Sequence, residues 1–404
     1  MTTFTPATAA EVLDTVRWAA AEEQPLEVLG RGSKRDIGRP AQTEHAIDLS
    51  RIAGVTLYEP EELVLSARAG TPLAEIEATV AEKGQELAFE PLDYAPLATG
   101  ARVPGGKSGT IGGVLAANLS GPRRLKAGAA RDHILGVSAV SGRGEAFKAG
   151  GRVVKNVTGY DLSKAMAGSW GTLAVVTDLT FKVLPRAETE TTVALRRLDD
   201  EKATAAMAAA MGSSAEVSAA AHLPELVARR VVGGMLGSDP ATLLRIEGFG
   251  PSVAYRVQML SDLFGGHVET IDEPRSRVIW ADIRDAVPFA DGGLRPVWRI
   301  SVAPSEGWKL VAALRLQAAV DAFYDWQGGL VWLRLEGDPE ADAVRSILRR
   351  LGGGHATLVR APVTIRAALS SFEPQGGALA ALSARLKAEF DPRGILNPGR
   401  MAGA

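Results

Sequence analysis

The chain has 404 residues, 46% hydrophobic and 23% charged, with a formal net charge of −2. That is a globular mix long enough for two or three domains, without the basic field that draws nucleic acid or an anionic membrane. It contains no cysteine, which excludes a disulfide framework, a thiolate zinc site and a cysteine-ligated iron–sulfur cluster within it.

The N-terminus, MTTFTPATAAEVLDTV, carries Glu11 and Asp14 and lacks the order of a signal peptide. No apolar run approaches the ~18 residues of a membrane span, so the cytoplasm is the expected location. In AAEVLDTVRWAAAEE, after Thr8 as cap, Val12, Leu13, Val16 and Ala20 share one helical face. LEVLG and HAIDLS read as strands on either side of a glycine-rich turn, GRGSKRDIG. VTLYEPEELVLSARAG predicts two strands joined at Glu59-Pro60-Glu61. TPLAEIEATVAEKG predicts a helix opening at Thr71-Pro72 and stopping at Gly84.

A second glycine-rich stretch, GGKSGTIGG, feeds a short apolar helix around GGVLAANL. Strands are expected near ILGVSAV and EAFKAGGRVVK, and the alternation in GTLAVVTDLTFKVLP predicts another that closes at Pro185. From about 187 helices such as DEKATAAMAAAMG and PSVAYRVQMLSDLFGG alternate with strands such as TLLRIEGF, PVWRISVA and LVWLRLEG. This predicts an α+β layer on an antiparallel sheet. The final helix, GGALAALSARLKAEF, aligns Leu379, Leu382, Leu386 and Phe390 on one stripe. The tail DPRGILNPGRM cannot continue it. No fixed-period repeat is visible.

The stretch GGKSGTIGG is not a triphosphatase loop, because the first glycine of G-x-x-x-x-G-K-[ST] would have to stand at Ala101. Its Gly106, Gly109, Gly112-Gly113 spacing also departs from the dinucleotide fingerprint. What the two glycine turns share is freedom for backbone N–H groups to line up as an anion nest. Either one alone reads equally well as an ordinary turn; together, beside strands, they are placed to grip one pyrophosphate from two sides.

Four segments in order, GRGS, SGTIGGVLAANLSG, KNVTGYDLSKAMAGSWGTLAVVTDLTFKVLP and FDPRGILNPGRM, resemble the vanillyl-alcohol-oxidase/PCMH flavoprotein family. The resemblance implies an α+β fold in three parts. A PCMH-type FAD-binding domain of two α/β subdomains spans 1–186, and an α+β cap with an antiparallel sheet spans 187–375. A helix and tail, 376–404, return to the flavin. It implicates Gly30, Arg31, Gly32 and Ser33 from the first loop, and Ser108, Gly109, Thr110, Ile111, Gly112 and Gly113 from the second. Asn118, Gly121, Val175, Val176 and Asn397 complete the set around FAD. With no cysteine, and Ser33 where tethered relatives often carry histidine, the flavin is expected to be non-covalent.

GPRRLKAGAARDHILGV, PVWRISVAP and YDWQGGLVWLRL narrow the resemblance to the FAD-binding E-subunit family of bacterial glycolate oxidase (glycolate dehydrogenase). It implies a complex with a larger FAD-binding subunit and an iron–sulfur subunit, oxidising glycolate, and D-lactate as a second substrate, to the 2-oxo acid. Membrane contact would come only through those partners. Two alternatives stand beside this: a non-catalytic or electron-relay FAD subunit, and a free-standing FAD-dependent alcohol or hydroxyacid dehydrogenase.

His45, His133, His222, His267 and His355 show no metal-binding spacing, so no metal site is expected and the relay alternative gains weight. On that reading the isolated chain would be reduced by glycolate slowly or not at all. His133 lies nearest the cofactor segments in sequence. Arg299 reads as a bidentate carboxylate anchor or as a structural ion-pair partner, and Trp298, Trp326 and Trp332 as core or subunit-interface anchors. Lys155 and Lys164 read as phosphate neutralisers or as a solvated face.

Overall fold

A computed structural model describes residues 1–100, 108–152 and 160–401. Lys107 and the stretch from Lys155 to Gly159, both within the quoted motifs, lie outside the described residues.

The chain begins by building a small parallel sheet, in which Thr2–Phe4 and Leu26–Leu29 flank His45–Asp48. Helix Ala9–Ala21 starts where Thr8 accepts a hydrogen bond from the Glu11 amide, which satisfies an otherwise free N–H of the first turn. It buries Val12, Val16, Ala19 and Ala20 against Leu26, Ile47, Val175 and Leu396. A five-stranded antiparallel sheet follows, in the order Val55–Glu59, Val64–Arg68, Ala174–Lys182, Ile134–Ser141, Ala146–Gly150. Its central strand alternates buried and half-buried residues, as its sequence predicts.

The second half is one eight-stranded antiparallel sheet made of two copies of the same βαββαβ unit. The first unit comprises Thr189–Arg196, helix Asp200–Gly212, Ala219–Leu223, Ala241–Gly248, helix Gly250–Leu263 and Glu269–Ile271. The second comprises Val297–Ser301, helix Gly307–Arg315, Val320–Asp325, Leu330–Leu335, helix Ala341–Arg350 and His355–Arg360. In each unit the strands lie in the order fourth, first, third, second, the ferredoxin-like arrangement. The repeat that the sequence hides is therefore a repeat of topology.

Alternation along the strands sends one set of side chains to each face. Trp298, Ile300, Tyr324 and Val331 pack on the second unit's own helices. Val297, Phe323, Leu330 and Trp332 join Phe89, Leu97 and Leu119 of the first half in a shared core. Trp298, Trp326 and Trp332 are all buried, which makes them core residues rather than contacts for another subunit. No residue of the C-terminal helix Gly377–Phe390 is buried: Leu379, Leu382 and Leu386 are exposed, and Phe390 packs against Phe147 at the edge of the core.

Two bodies of polar contacts hold these layers in place. Where the two βαββαβ units meet, strand pairing is limited to His222 opposite Tyr324. Asp200 reinforces that single pair. Its Oδ2 accepts from Tyr324 Oη at 2.6 Å and from Arg315 Nη1 at 2.7 Å, and its Oδ1 lies 3.4 Å from His222 Nε2. Between the halves, Arg123 pairs with Glu86 and Glu247, while Arg245 meets both oxygens of Glu90 at 2.9 and 2.8 Å.

Burial works to raise the pKa of Asp200, but hydrogen bonds from His222 and Tyr324 and the charge of Arg315 hold it at about 2. A carboxylate with a depressed folded-state pKa stabilises the fold above its unfolded pKa, and that contribution is lost as pH falls through the folded value. Asp200→Asn should therefore cost about 2 kcal/mol near neutral pH. Urea unfolding of both proteins should show the gap shrinking as pH is lowered toward about 3; a constant gap would mean that the charge of Asp200 is not what matters.

Candidate functional site

A cleft opens between the small parallel sheet and the five-stranded sheet. Gly30 to Lys34 form one wall, and Thr110, Gly112 and Gly113 form the facing one; Val28, Val176, Trp170 and Arg400 complete it. The two glycine loops approach so closely that a Cβ on Gly30 would lie 2.7 Å from Thr110 Oγ1. A Cβ on Gly113 would sit 3.2 Å from Lys34 Nζ. The Gly112 requirement has another origin, because its Cβ would strike the Ala69 carbonyl at 2.8 Å, inside the protein rather than in the cleft.

The structure sorts the sequence-derived candidates into three groups. Gly30, Arg31, Gly32, Ser33, Thr110, Gly112, Gly113 and Val176 line the cleft. Ser108, Gly109, Ile111 and Asn397 stand just behind it. Ser108 is bound through both its amide and its hydroxyl to Asp93, at 3.0 and 2.9 Å, and Ile111 is core. Asn397 accepts from the Val28 amide and donates to the Trp170 carbonyl, each at 2.8 Å. It therefore joins two lining residues without lining the cleft itself.

Asn118, Gly121, Val175 and Arg299 lie elsewhere. Asn118 accepts from the Arg131 amide at 3.0 Å, and Val175 packs under helix Ala9–Ala21. Gly121 accepts from Trp326 Nε1 at 2.9 Å, where the two halves meet. Arg299 faces the same seam. His133 packs on Phe89, bonds the Ala127 carbonyl at 2.7 Å and is pushed toward its neutral form by burial; its role is structural. Lys164 pairs with Asp161 on the surface.

Sequence reasoning did not single out Lys34, Arg400 or Trp170. The Lys34 ammonium donates to Ser33 Oγ at 3.1 Å, and no carboxylate among the described residues forms an ion pair with it. Burial pulls its pKa down to about 8, with Asp93 opposing and Arg400 adding to the effect. Arg400 donates to the Lys34 carbonyl at 2.6 Å and lies over the Trp170 ring, 5.4 Å from its centroid. Its Nε is buried without a partner, and burial lowers its pKa to about 10. Two uncompensated cations between glycine loops fit a pyrophosphate, and Val28, Ala117, Met166 and Val176 offer apolar walls to a ring system.

A bound pyrophosphate would raise the Lys34 pKa, so binding takes up a proton wherever the free protein has lost one. FAD affinity should fall as pH rises above about 8 in the wild type. Lys34→Met should weaken binding at neutral pH by roughly tenfold or more and flatten the pH dependence. Gly113→Val should prevent retention by filling the space between the loops. Equilibrium dialysis of FAD against the cofactor-free proteins tests all three, and a Lys34→Met variant with wild-type affinity at every pH would remove Lys34 from the site.

Comparison with known proteins agrees with this geometry. The sequence pattern of the FAD binding domain family matches residues 2–150. The glycolate oxidase subunit GlcE of Escherichia coli is 35% identical over 397 residues, 96% of each chain. A D-lactate dehydrogenase of Archaeoglobus fulgidus is 30% identical over 191 residues, 47% of this chain and 40% of that one. Among solved structures, p-cresol methylhydroxylase superposes with a TM-score of 0.72 at 15% identity, covering 99% of this chain and 88% of that one, which shows a shared PCMH-type fold. A cleft with two glycine loops and unpaired cations, in a chain matched over nearly its whole length, leads to one assignment: the protein belongs to the GlcE family of FAD-linked oxidoreductases, with FAD as its cofactor.

Proposed function

We propose that this chain is the FAD-bearing subunit of a heteromeric complex that oxidises glycolate, and D-lactate as a second substrate, to the 2-oxo acid. A larger flavin subunit and an iron–sulfur subunit would complete it. The near-complete match to a protein named as a subunit supports the assembly, and a chain without cysteine is compatible with clusters held by a partner. No helix among the described residues is long and apolar enough to cross a membrane.

Lys34 and Arg400 would neutralise the FAD pyrophosphate, with Ser33 and the amides of the two loops adding hydrogen bonds. Trp170 and Val176 would flank the rest of the cofactor. No histidine, tyrosine or cysteine lines the described cleft, which supports non-covalent binding. FAD supplies a two-electron acceptor for the hydrogen on the hydroxyl-bearing carbon; the protein orients the substrate and excludes water.

The observation that carries a substrate site on this chain is Arg299. Its strand faces the first half of the protein, and its guanidinium lies 4.8 Å from the Trp326 ring centroid. Its Nε is buried without a partner, and no described carboxylate forms an ion pair with it. A half-buried, unpaired guanidinium is costly unless a ligand anion compensates it, and a carboxylate matches its fork. The relay alternative retains one supporting observation, the dispersal of the histidines.

Purified protein should be yellow and should release its FAD on acid precipitation; flavin retained by the precipitated chain would show a covalent link. Co-expressed with its partners, the chain should co-purify with a cysteine-rich protein and a second flavoprotein, and a complex that forms fully without it would defeat the subunit assignment. Anaerobic mixing with glycolate should bleach the flavin of the isolated chain. Arg299→Ala should raise the concentration required by roughly 30- to 100-fold with FAD content unchanged. Absence of bleaching in the isolated chain, with bleaching in the complex, would select the relay alternative.

A further inference from the structure

We propose that Arg124 is a second cationic arm of the Arg299 site, and that buried Asp325 sets the charge of that site toward a small 2-hydroxy or 2-oxo monocarboxylate. The proposal rests on the reading of Arg299 given above and extends it to residues from both halves of the protein.

The geometry centres on Trp326. Its indole N–H donates to the Gly121 carbonyl at 2.9 Å, which fixes the ring of one half against the loop of the other. Arg299 and Arg124 both lie over that ring, at 4.8 and 5.8 Å from its centroid. Arg299 comes from a strand of the second βαββαβ unit, and Arg124 from the Gly121–Arg124 loop of the first half. The ring attracts each guanidinium but cannot neutralise two. Arg124 has its nearest carboxylate, Asp132, at 3.9 Å, and that residue is half-exposed. Burial and the charge of Arg299 both act against the protonated form of Arg124. Two like charges thus share one ring, and among the described residues Asp132 is the carboxylate that forms an ion pair with either of them.

Asp325 supplies the control. It ends the strand Val320–Asp325, is 1% exposed, and accepts one hydrogen bond, from the Trp326 amide at 2.8 Å. Burial raises its pKa to about 7, Glu90 adds to the rise, and Arg245 and Arg299 oppose it. These strongest charged neighbours come from three parts of the chain: Glu90 from the first half, Arg245 from the first unit, Arg299 from the second. Glu90 stays ionised, because Arg123 and Arg245 outweigh its own burial and hold it far below the usual carboxylate range. Tyr94, beside Arg299, is kept neutral by burial. Asp325 is thus a group at the seam whose charge changes near neutral pH.

The linkage has a definite sign. A carboxylate bound at Arg299 and Arg124 favours the neutral form of Asp325, so binding takes up a proton and affinity falls as pH rises through about 7. Asp325 acts through its charge interaction with Arg299; it is a positioning residue, not a group that touches substrate.

The test uses the FAD-loaded chain and oxamate, a monocarboxylate that cannot be oxidised, with affinity read by calorimetry at pH about 6 and about 8. Wild-type affinity should fall about five- to tenfold between the two. Asp325→Asn should bind equally at both. Arg124→Ala, a partly exposed position, should weaken binding about tenfold at both while keeping the pH slope. Wild-type binding without a slope, or Arg124→Ala binding as the wild type does, would overturn the proposal even if the Asp325 variant failed to fold. Oxamate behaving as expected while glycolate leaves the flavin oxidised would remove the proposed oxidation and keep the anion site. Glycolate reducing the flavin with oxamate binding indifferent to pH and to Arg124 would do the reverse.

Discussion

Everything at the seam depends on one buried charge network. Arg123 from the first half reaches Glu86 and Glu247, Arg245 from the eight-stranded sheet takes both oxygens of Glu90, and the Arg245 guanidinium rests 4.9 Å from the centroid of the Trp280 ring. Each charge has a partner of opposite sign from the other half or from its own. Breaking such a set leaves an uncompensated charge in a low-dielectric interior, which costs about 3–5 kcal/mol. The apolar contacts around it add to the cohesion of the layers, and the Trp326–Gly121 bond crosses the same seam.

Against that frame of paired charges the functional regions stand out by contrast. Among the described residues Lys34 and Arg299 form no ion pair, Arg124 reaches only Asp132 at 3.9 Å, and Arg400 carries a buried unsatisfied Nε. On the reading proposed above, charge is left uncompensated where an anion is to be received. The two regions also differ in origin. The cleft is walled largely by loop backbone, where a Cβ on Gly30 would collide with Thr110 and one on Gly113 would press on Lys34. The seam site is built from side chains on strands of different units.

Local signals carried much of this architecture. The Thr8 cap, the alternation in Ala174–Lys182 and the two glycine loops appear where the sequence places them, because each depends on neighbours a few residues away. What could not be read depends on distant partners. Lys34 was visible beside its glycine loop, but its burial next to Arg400 joins residues from opposite ends of the chain. The duplicated βαββαβ unit left no residue period, since strand order is a property of pairing and tolerates wide sequence divergence. The leucine stripe of Gly377–Phe390 has core periodicity, yet that helix is tied down chiefly at its end, where Lys387 reaches the Thr172 and Leu396 carbonyls. Arg299 and Asp325 acquired their meaning only from what the fold does not place beside the first and does bury around the second.

The tail has a consequence for how the protein is made. The Leu26 amide donates to the Ile395 carbonyl, the Asn397 amide donates back to the Leu26 carbonyl, and Asn397 also ties Val28 to Trp170. The first strands of the molecule are thus completed by residues translated after the entire eight-stranded sheet. During synthesis the emerging N-terminal half lacks both this edge and Arg400, so its cleft is open and short of one cation while the ribosome is still adding the rest. A chain halted before residue 395 therefore lacks the partner of its second strand, the Asn397 link between Val28 and Trp170, and Arg400 on the cleft wall.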